Sequence, residues 1–116
     1  MYEKQEKTLA LTNNNFKQEV LESQIPVLVD FWASWCPPCK MTDSTIDDLA
    51  RELEGAVKVA KINVDQNPGC SLDYDIMGVP TFIVFENSKE LARCIGAQSK
   101  QQLLEMIKEA GVKLEG

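Results

Sequence analysis

The run PVLVDFWA at residues 26–33 is almost continuously apolar and rich in β-branched side chains. A strand with one wet face alternates apolar and polar residues, so an unbroken run is the pattern of a central strand buried on both faces. Such a strand needs a sheet with helices on either side, and that demand narrows the fold more than any other feature of the chain. One acid, Asp30, interrupts the run. An ionised carboxylate is costly to bury, so its pKa is expected to rise. The plain alternative is a strand-end acid that reaches solvent.

The flanking segments supply the rest of an α/β layer structure. TLAL (8–11) is a short candidate strand, and residues 13–23 predict a helix, with Phe16 and Val20 on one face and a polar cap in the Asn13-Asn14-Asn15 cluster. From residue 37 to about 53 the spacing turns helical, with Thr42, Ile46, Leu49, Ala50 and Leu53 on one face. Residues 57–65 alternate as a strand and close on the turn QNPG, with a short helix expected at 70–75. Residues 80–86 read as a second buried strand. ENSKE turns that strand back into 91–95 as a hairpin. Residues 99–110 form the last helix, with a Ser99/Gln102 capping box, Leu103, Leu104, Ile107 and Ala110 facing inward, and Gly111 as the stop. The order β-α-β-α-β-α-β-β-α has no linker or repeat. It predicts one α/β domain over 1–116, a mixed sheet of about five strands flanked by about four helices on both faces. A chain of 116 residues buries enough core to need no covalent staple.

Charge and composition exclude several functions. Twelve basic against eighteen acidic side chains give a net charge of −6, which argues against nucleic-acid or anionic-membrane binding. Histidine is absent, which removes it as metal ligand, haem anchor or general base. The opening MYEKQEKTLALTNNNF lacks an apolar signal core and a small-residue cleavage site, and no run of about 18 apolar residues occurs anywhere. The expected location is the cytoplasm.

The chemistry is expected in WCPPCK, residues 35–40, where two of the four cysteines stand three positions apart. Cys36 falls where the apolar strand ends and the helix begins. Proline is tolerated in a first helical turn, where the amides have no intrahelical partner, so Pro37 and Pro38 stiffen the helix entrance. Free N–H groups and the positive end of the helix dipole favour the Cys36 thiolate. Cys36 is therefore expected to attack, and Cys39, one turn deeper, to be less exposed and to resolve a mixed disulfide. Zinc would need two further ligands, and only the isolated Cys70 and Cys94 are at hand. A structural staple closing so small a loop removes little chain entropy. A reversible redox pair is the favoured reading.

VLVDFWASWCPPCK, KINVDQNPG, GVPTFIVF and GAQSKQQL, in this order and spacing, resemble the thioredoxin family over roughly residues 8–110. The resemblance implies a protein-disulfide reductase acting by dithiol–disulfide exchange, with Cys36 as nucleophile and Cys39 as resolving thiol. It implies that Asp30 moves the proton of Cys39 and that Lys61 modulates Asp30, although Lys61 alone reads equally as an exposed residue on an alternating strand. Pro80 resembles the family's cis-proline, beside which an extended substrate pairs. Trp35, Pro38, Val79, Ile95 and Gly96 resemble its apolar docking rim. Read without the resemblance, Val79 and Ile95 are core residues, as is Trp32.

Three departures stand out. Pro37-Pro38 replaces the usual Gly-Pro, as in tryparedoxin-like and cytochrome-maturation relatives, and bears on redox potential and reductase choice rather than on mechanism. Ser44 stands where many members carry a helix-kinking proline, which implies a straighter helix. Cys70 and Cys94 are extra, either small packing residues or regulatory thiols. No cofactor is required. The expected partners are disulfide-bearing proteins and a thioredoxin reductase, with the protein itself a monomer. The competing readings are an oxidase, isomerase or relay of altered potential, a binding subunit with idle cysteines, and a zinc module.

Overall fold

In a computed structural model that describes residues 8–114, two runs of apolar residues pair at the middle of a five-stranded sheet. They are β2 (Val27–Trp32) and β4 (Thr81–Glu86), and five of the six residues in each are buried. β2 pairs in parallel with β3 (Lys58–Asn63), which pairs in parallel with β1 (Leu9–Leu11). On its other side β2 pairs antiparallel with β4, which pairs antiparallel with β5 (Lys89–Ile95). The order β1-β3-β2-β4-β5 makes the sheet mixed, with β2 at its centre. The α/β reading of the sequence holds.

Alternation along β2 divides the core into two layers. Leu28 faces α1 (Pro37–Glu52) and α3 (Lys100–Glu109), packing with Ile46, Leu49, Leu103 and Ile107. Val27, Val29 and Phe31 face the opposite layer, which holds Phe16, Val20 and Cys70 of α2 (Pro68–Asp73). Four rings, Phe16, Phe31, Tyr74 and Phe85, meet there with centroids 5.3 to 6.4 Å apart. All five residues assigned to the inner face of α1 are buried. On α3, Leu103 and Ile107 are buried, while Leu104 and Ala110 are half-buried. The Ser99–Gln102 capping box is formed, and Gly111 takes the left-handed φ of 92° that ends the helix.

The helix expected at 13–23 is reduced to a five-residue π-helical turn, Lys17–Leu21, closed by the Glu22 amide donating to the Lys17 carbonyl at 2.9 Å. The asparagines are engaged elsewhere. Asn15 Oδ1 accepts from the Thr12 amide at 2.7 Å, and Asn13 Oδ1 accepts from the Cys70 amide at 3.1 Å. The Asn13 amide donates to Asn67 Oδ1 at 2.9 Å. Asn13 thus ties the chain to the start of α2 while Asn15 closes a local turn, and one helical turn is enough to lay Phe16 and Val20 on the sheet.

Other boundaries move by a few residues. α2 begins at Pro68, a residue suited to a first helical position, and ends at Asp73, two residues before Asp75 takes a φ of 52°. The hairpin loop is only Asn87-Ser88, both at positive φ, so β5 starts earlier than expected, at Lys89. Removing the Asn13 side chain should unpair the Cys70 amide. Asn13→Ala is expected to lower stability by about 1 kcal/mol, measured as a reduced urea midpoint with unchanged slope.

Candidate active site

Ala33, Cys36 and Cys39 form a small buried cluster at the carboxyl end of β2, with Trp32, Val64 and Val79 packed around it. The cluster follows from the sequence: β2 is held on both edges, so its end is fixed, and the next residues turn directly into α1. Cys36 is the N-cap of α1 in extended conformation, with Pro37 and Pro38 in the first turn. Its sulfur accepts the Cys39 amide at 3.1 Å, taking one of the free N–H groups of the helix end. The two cysteines are joined as a disulfide with Cα atoms 5.3 Å apart. They are 2% and 1% exposed, so burial does not distinguish the attacking from the resolving sulfur.

Asp30 is fully buried on the α1 side of the sheet, and among the described residues neither carboxylate oxygen has a hydrogen-bond partner. Burial pushes its pKa up to about 7, the Asp43 carboxylate adds to the rise, and the Lys61 ammonium opposes it. Lys61 is the register partner of Asp30 on β3, and its ammonium lies 5.5 Å from the centre of the Trp32 ring. The alternative of an acid reaching solvent is excluded by this burial.

The Val79–Pro80 peptide is cis, and the Val79 carbonyl oxygen lies 3.7 Å from the Cys36 sulfur. The Gly96 amide donates to the Pro80 carbonyl at 2.8 Å, and Gly96 itself needs its positive φ of 97°. Ile95 is 58% exposed and Trp35 is 66% exposed, so Ile95 is not the core residue its apolarity suggested. Val79 is half-buried and Pro38 exposed. The residues expected at the site therefore gather at one end of the sheet.

Several contributors were not anticipated. Trp35 Nε1 donates to Asp65 Oδ2 at 2.8 Å, which holds the exposed ring in place. Thr42, counted only among the inward residues of α1, donates from Oγ1 to the Cys39 carbonyl at 3.0 Å. A cleft of about 380 Å³ beside the pair is lined by Trp35, Val64, Leu72, Ile76, Met77 and Val79. Leu72 and Met77 are among the most exposed apolar side chains described, and a sequence offers no signal for exposure in a short helix and a loop.

The other two cysteines lie apart from the pair. Cys70 packs in the layer opposite α1, and Cys94 packs against the α1–α3 layer. Both are free thiols whose pKa is raised, chiefly by burial. Among the described residues, no group of three or more cysteine, aspartate or glutamate side chains is arranged to hold a metal ion.

Comparison with known proteins agrees with this geometry. The thioredoxin family model matches residues 7–109. A thioredoxin from Rickettsia felis is 48% identical over 100 residues, 86% of this chain and 95% of that protein. Thioredoxin 1 of Synechococcus elongatus is 46% identical over 94 residues, 81% of this chain and 88% of its own length. Thioredoxin 1 of Nostoc sp. is 41% identical over 99 residues, 85% and 92% respectively. The chain belongs to the thioredoxin family and is a protein-disulfide reductase that works by dithiol–disulfide exchange through Cys36 and Cys39.

Proposed function

We propose that Cys36 is the attacking thiol and Cys39 the resolving one. The observation that carries this assignment is the Cys36 sulfur at the tip of α1, where it accepts the Cys39 amide. The same donor, with the helix dipole behind it, stabilises a thiolate at that position. The Cys36 thiolate attacks a substrate disulfide, one substrate sulfur leaves and takes up a proton, and a mixed disulfide forms. Cys39 then loses its proton and attacks the Cys36 sulfur. The second substrate sulfur departs, two electrons have passed to the substrate, and the Cys36–Cys39 disulfide remains.

Asp30 accepts the Cys39 proton in this reading, and Lys61 tunes it. Support comes from the buried carboxylate, unpartnered among the described residues, and from a pKa near 7, which suits a group that must exchange protons at neutral pH. The substrate lies along Val79 and the cis-Pro80, against a rim of Trp35, Pro38, Ile95 and Gly96. Pro37 and Pro38 tune the potential by fixing the helix entrance. A thioredoxin reductase restores the dithiol, and the protein works as a monomer in the cytoplasm, a compartment that would keep Cys70 and Cys94 as thiols.

Two experiments test these roles. Cys36→Ser should abolish reduction of insulin disulfides, whereas Cys39→Ser should trap mixed disulfides with substrate; substantial turnover by Cys36→Ser would sink the assignment. The second concerns pH. Asp30 has a folded pKa of about 7 against an ordinary 3.8, so the folded state holds the proton longer. Its protonated form costs little below pH 3.8, and stability is lost as pH rises from there through 7. Asp30→Asn should therefore stabilise the protein at pH 8 by several kcal/mol, on the order of 4, with the gain vanishing towards pH 4. Urea melts at both pH values check this, and a gain that does not change with pH would contradict it.

A further inference from the structure

The carboxylate of Asp30 is approached from three sides. Across one edge of β2 its partner is Lys61 on β3; across the other it is Phe82 on β4, which carries no charge. Asp30 shares its side of the sheet with Leu28, and Lys61 shares its side with Val59. Leu28 and Val59 both pack in the α1 layer, so Asp30 and Lys61 rise from the same face beneath that helix. From α1 itself the titratable groups near this point are Cys39 and, one turn further on, Asp43.

A hydrogen bond fixes how α1 lies over this face. Thr8 Oγ1 donates to Asp47 Oδ1 at 2.7 Å. Thr8 directly precedes β1, whose Leu9 pairs with Ala60, so Asp47 overhangs the β1–β3 side of the sheet at about the level of Val59. α1 runs from the redox pair back along the sheet, opposite in direction to β3. Asp43 is one turn closer to the pair than Asp47, roughly 6 Å along the helix. That matches the step of roughly 6.6 Å from Val59 to Lys61 along β3. Asp43 thus falls on the β3-side flank of α1 at about the level of Lys61; Asp43 is exposed, Lys61 half-buried and Asp30 fully buried.

We propose that Asp43 is a positioning residue for the proton transfer between Cys39 and Asp30: its negative charge opposes that of Lys61 across the same buried carboxylate, and the balance sets the pH at which Asp30 can take the Cys39 proton. The proposal rests on the reading of Asp30 as proton acceptor. In the step concerned, one proton leaves the Cys39 sulfur and one is gained by the Asp30 carboxylate, with no change in oxidation state. The electrostatics agree with the geometry, since after burial itself Asp43 is the largest influence raising Asp30, ahead of the opposing Lys61. The Asp43 charge is exposed and therefore open to screening by salt, whereas the burial contribution is not.

The test uses the full-length dithiol protein labelled with carbon-13. The Asp30 carboxyl is titrated by NMR at low salt, and resolution of a mixed disulfide is followed across the same pH range. Asp43→Asn should lower the Asp30 midpoint by roughly half a pH unit and carry the acid limb of the resolution rate down with it. Asp43→Glu should keep the original midpoint, Lys61→Gln should raise it, and the Asp43→Asn/Lys61→Gln double variant should return towards it. High salt should shrink the Asp43→Asn effect, which a purely structural role of Asp43 would not produce. An unmoved midpoint in Asp43→Asn overturns the proposal directly. A midpoint that moves without the rate profile overturns it through the role assigned to Asp30, and the two failures are told apart by the NMR titration.

Discussion

The position of β2 is the constraint on which the remaining structure depends. It is hydrogen-bonded along both edges, parallel to β3 and antiparallel to β4, and it is covered on both faces. A strand held in this way has no freedom to slip, because a shift of one residue would exchange its two faces and bring Val27, Val29 and Phe31 into the wrong layer. Its carboxyl end is therefore fixed in space. The turn through Ala33 and Cys36 inherits that rigidity, as does the start of α1. The pair thus follows directly on a strand that is paired on both edges and covered on both faces, which suits chemistry requiring two sulfurs to meet repeatedly in one geometry.

That strand also carries the one group that burial makes unfavourable. Among the described residues Asp30 has no hydrogen-bond partner for either oxygen, while Lys61, its cross-strand neighbour, leans over the Trp32 ring. A fully satisfied carboxylate would have its pKa drawn down; this one is left high by desolvation. Stability at alkaline pH is given up for a carboxyl with a pKa near neutrality, which is what the proposed role of proton acceptor requires.

Much of this was legible in the sequence because it rests on periodicity and local chemistry. The apolar run of β2, the inner face of α1, the capping box of α3 and the two prolines at the helix entrance each signal themselves within a few residues. Asp30 was legible as an acid where none belongs. What escaped was set by distant partners. Asn13 reads as a helix cap, but its side chain is taken by the Cys70 amide far along the chain. Asp65 closes a strand like many acids, yet it holds the Trp35 indole. Ile95 reads as core and is exposed, because β5 is an edge strand and apolarity does not say whether a partner strand or a partner protein will cover it.

The near-equal burial of Cys36 and Cys39 bears on how the two sulfurs differ. Were the attacking thiol chosen by access to solvent, a clear contrast in exposure would be required, and 2% against 1% offers none. The difference between the two sulfurs that the structure does show is electrostatic and positional. Cys36 caps the helix and accepts its amide, whereas Cys39 lies within the first turn, its carbonyl engaged by Thr42. Cys36 also lies against the Val79 carbonyl, at the edge where the cis-proline leaves backbone groups next to the rim. In the proposed reading a substrate approaches over that edge, so the segment that would align it is also the one nearest the attacking sulfur. On the proposed roles, selectivity between the thiols and recognition of the substrate are two consequences of one placement, the sulfur of Cys36 between a helix end and the loop before β4.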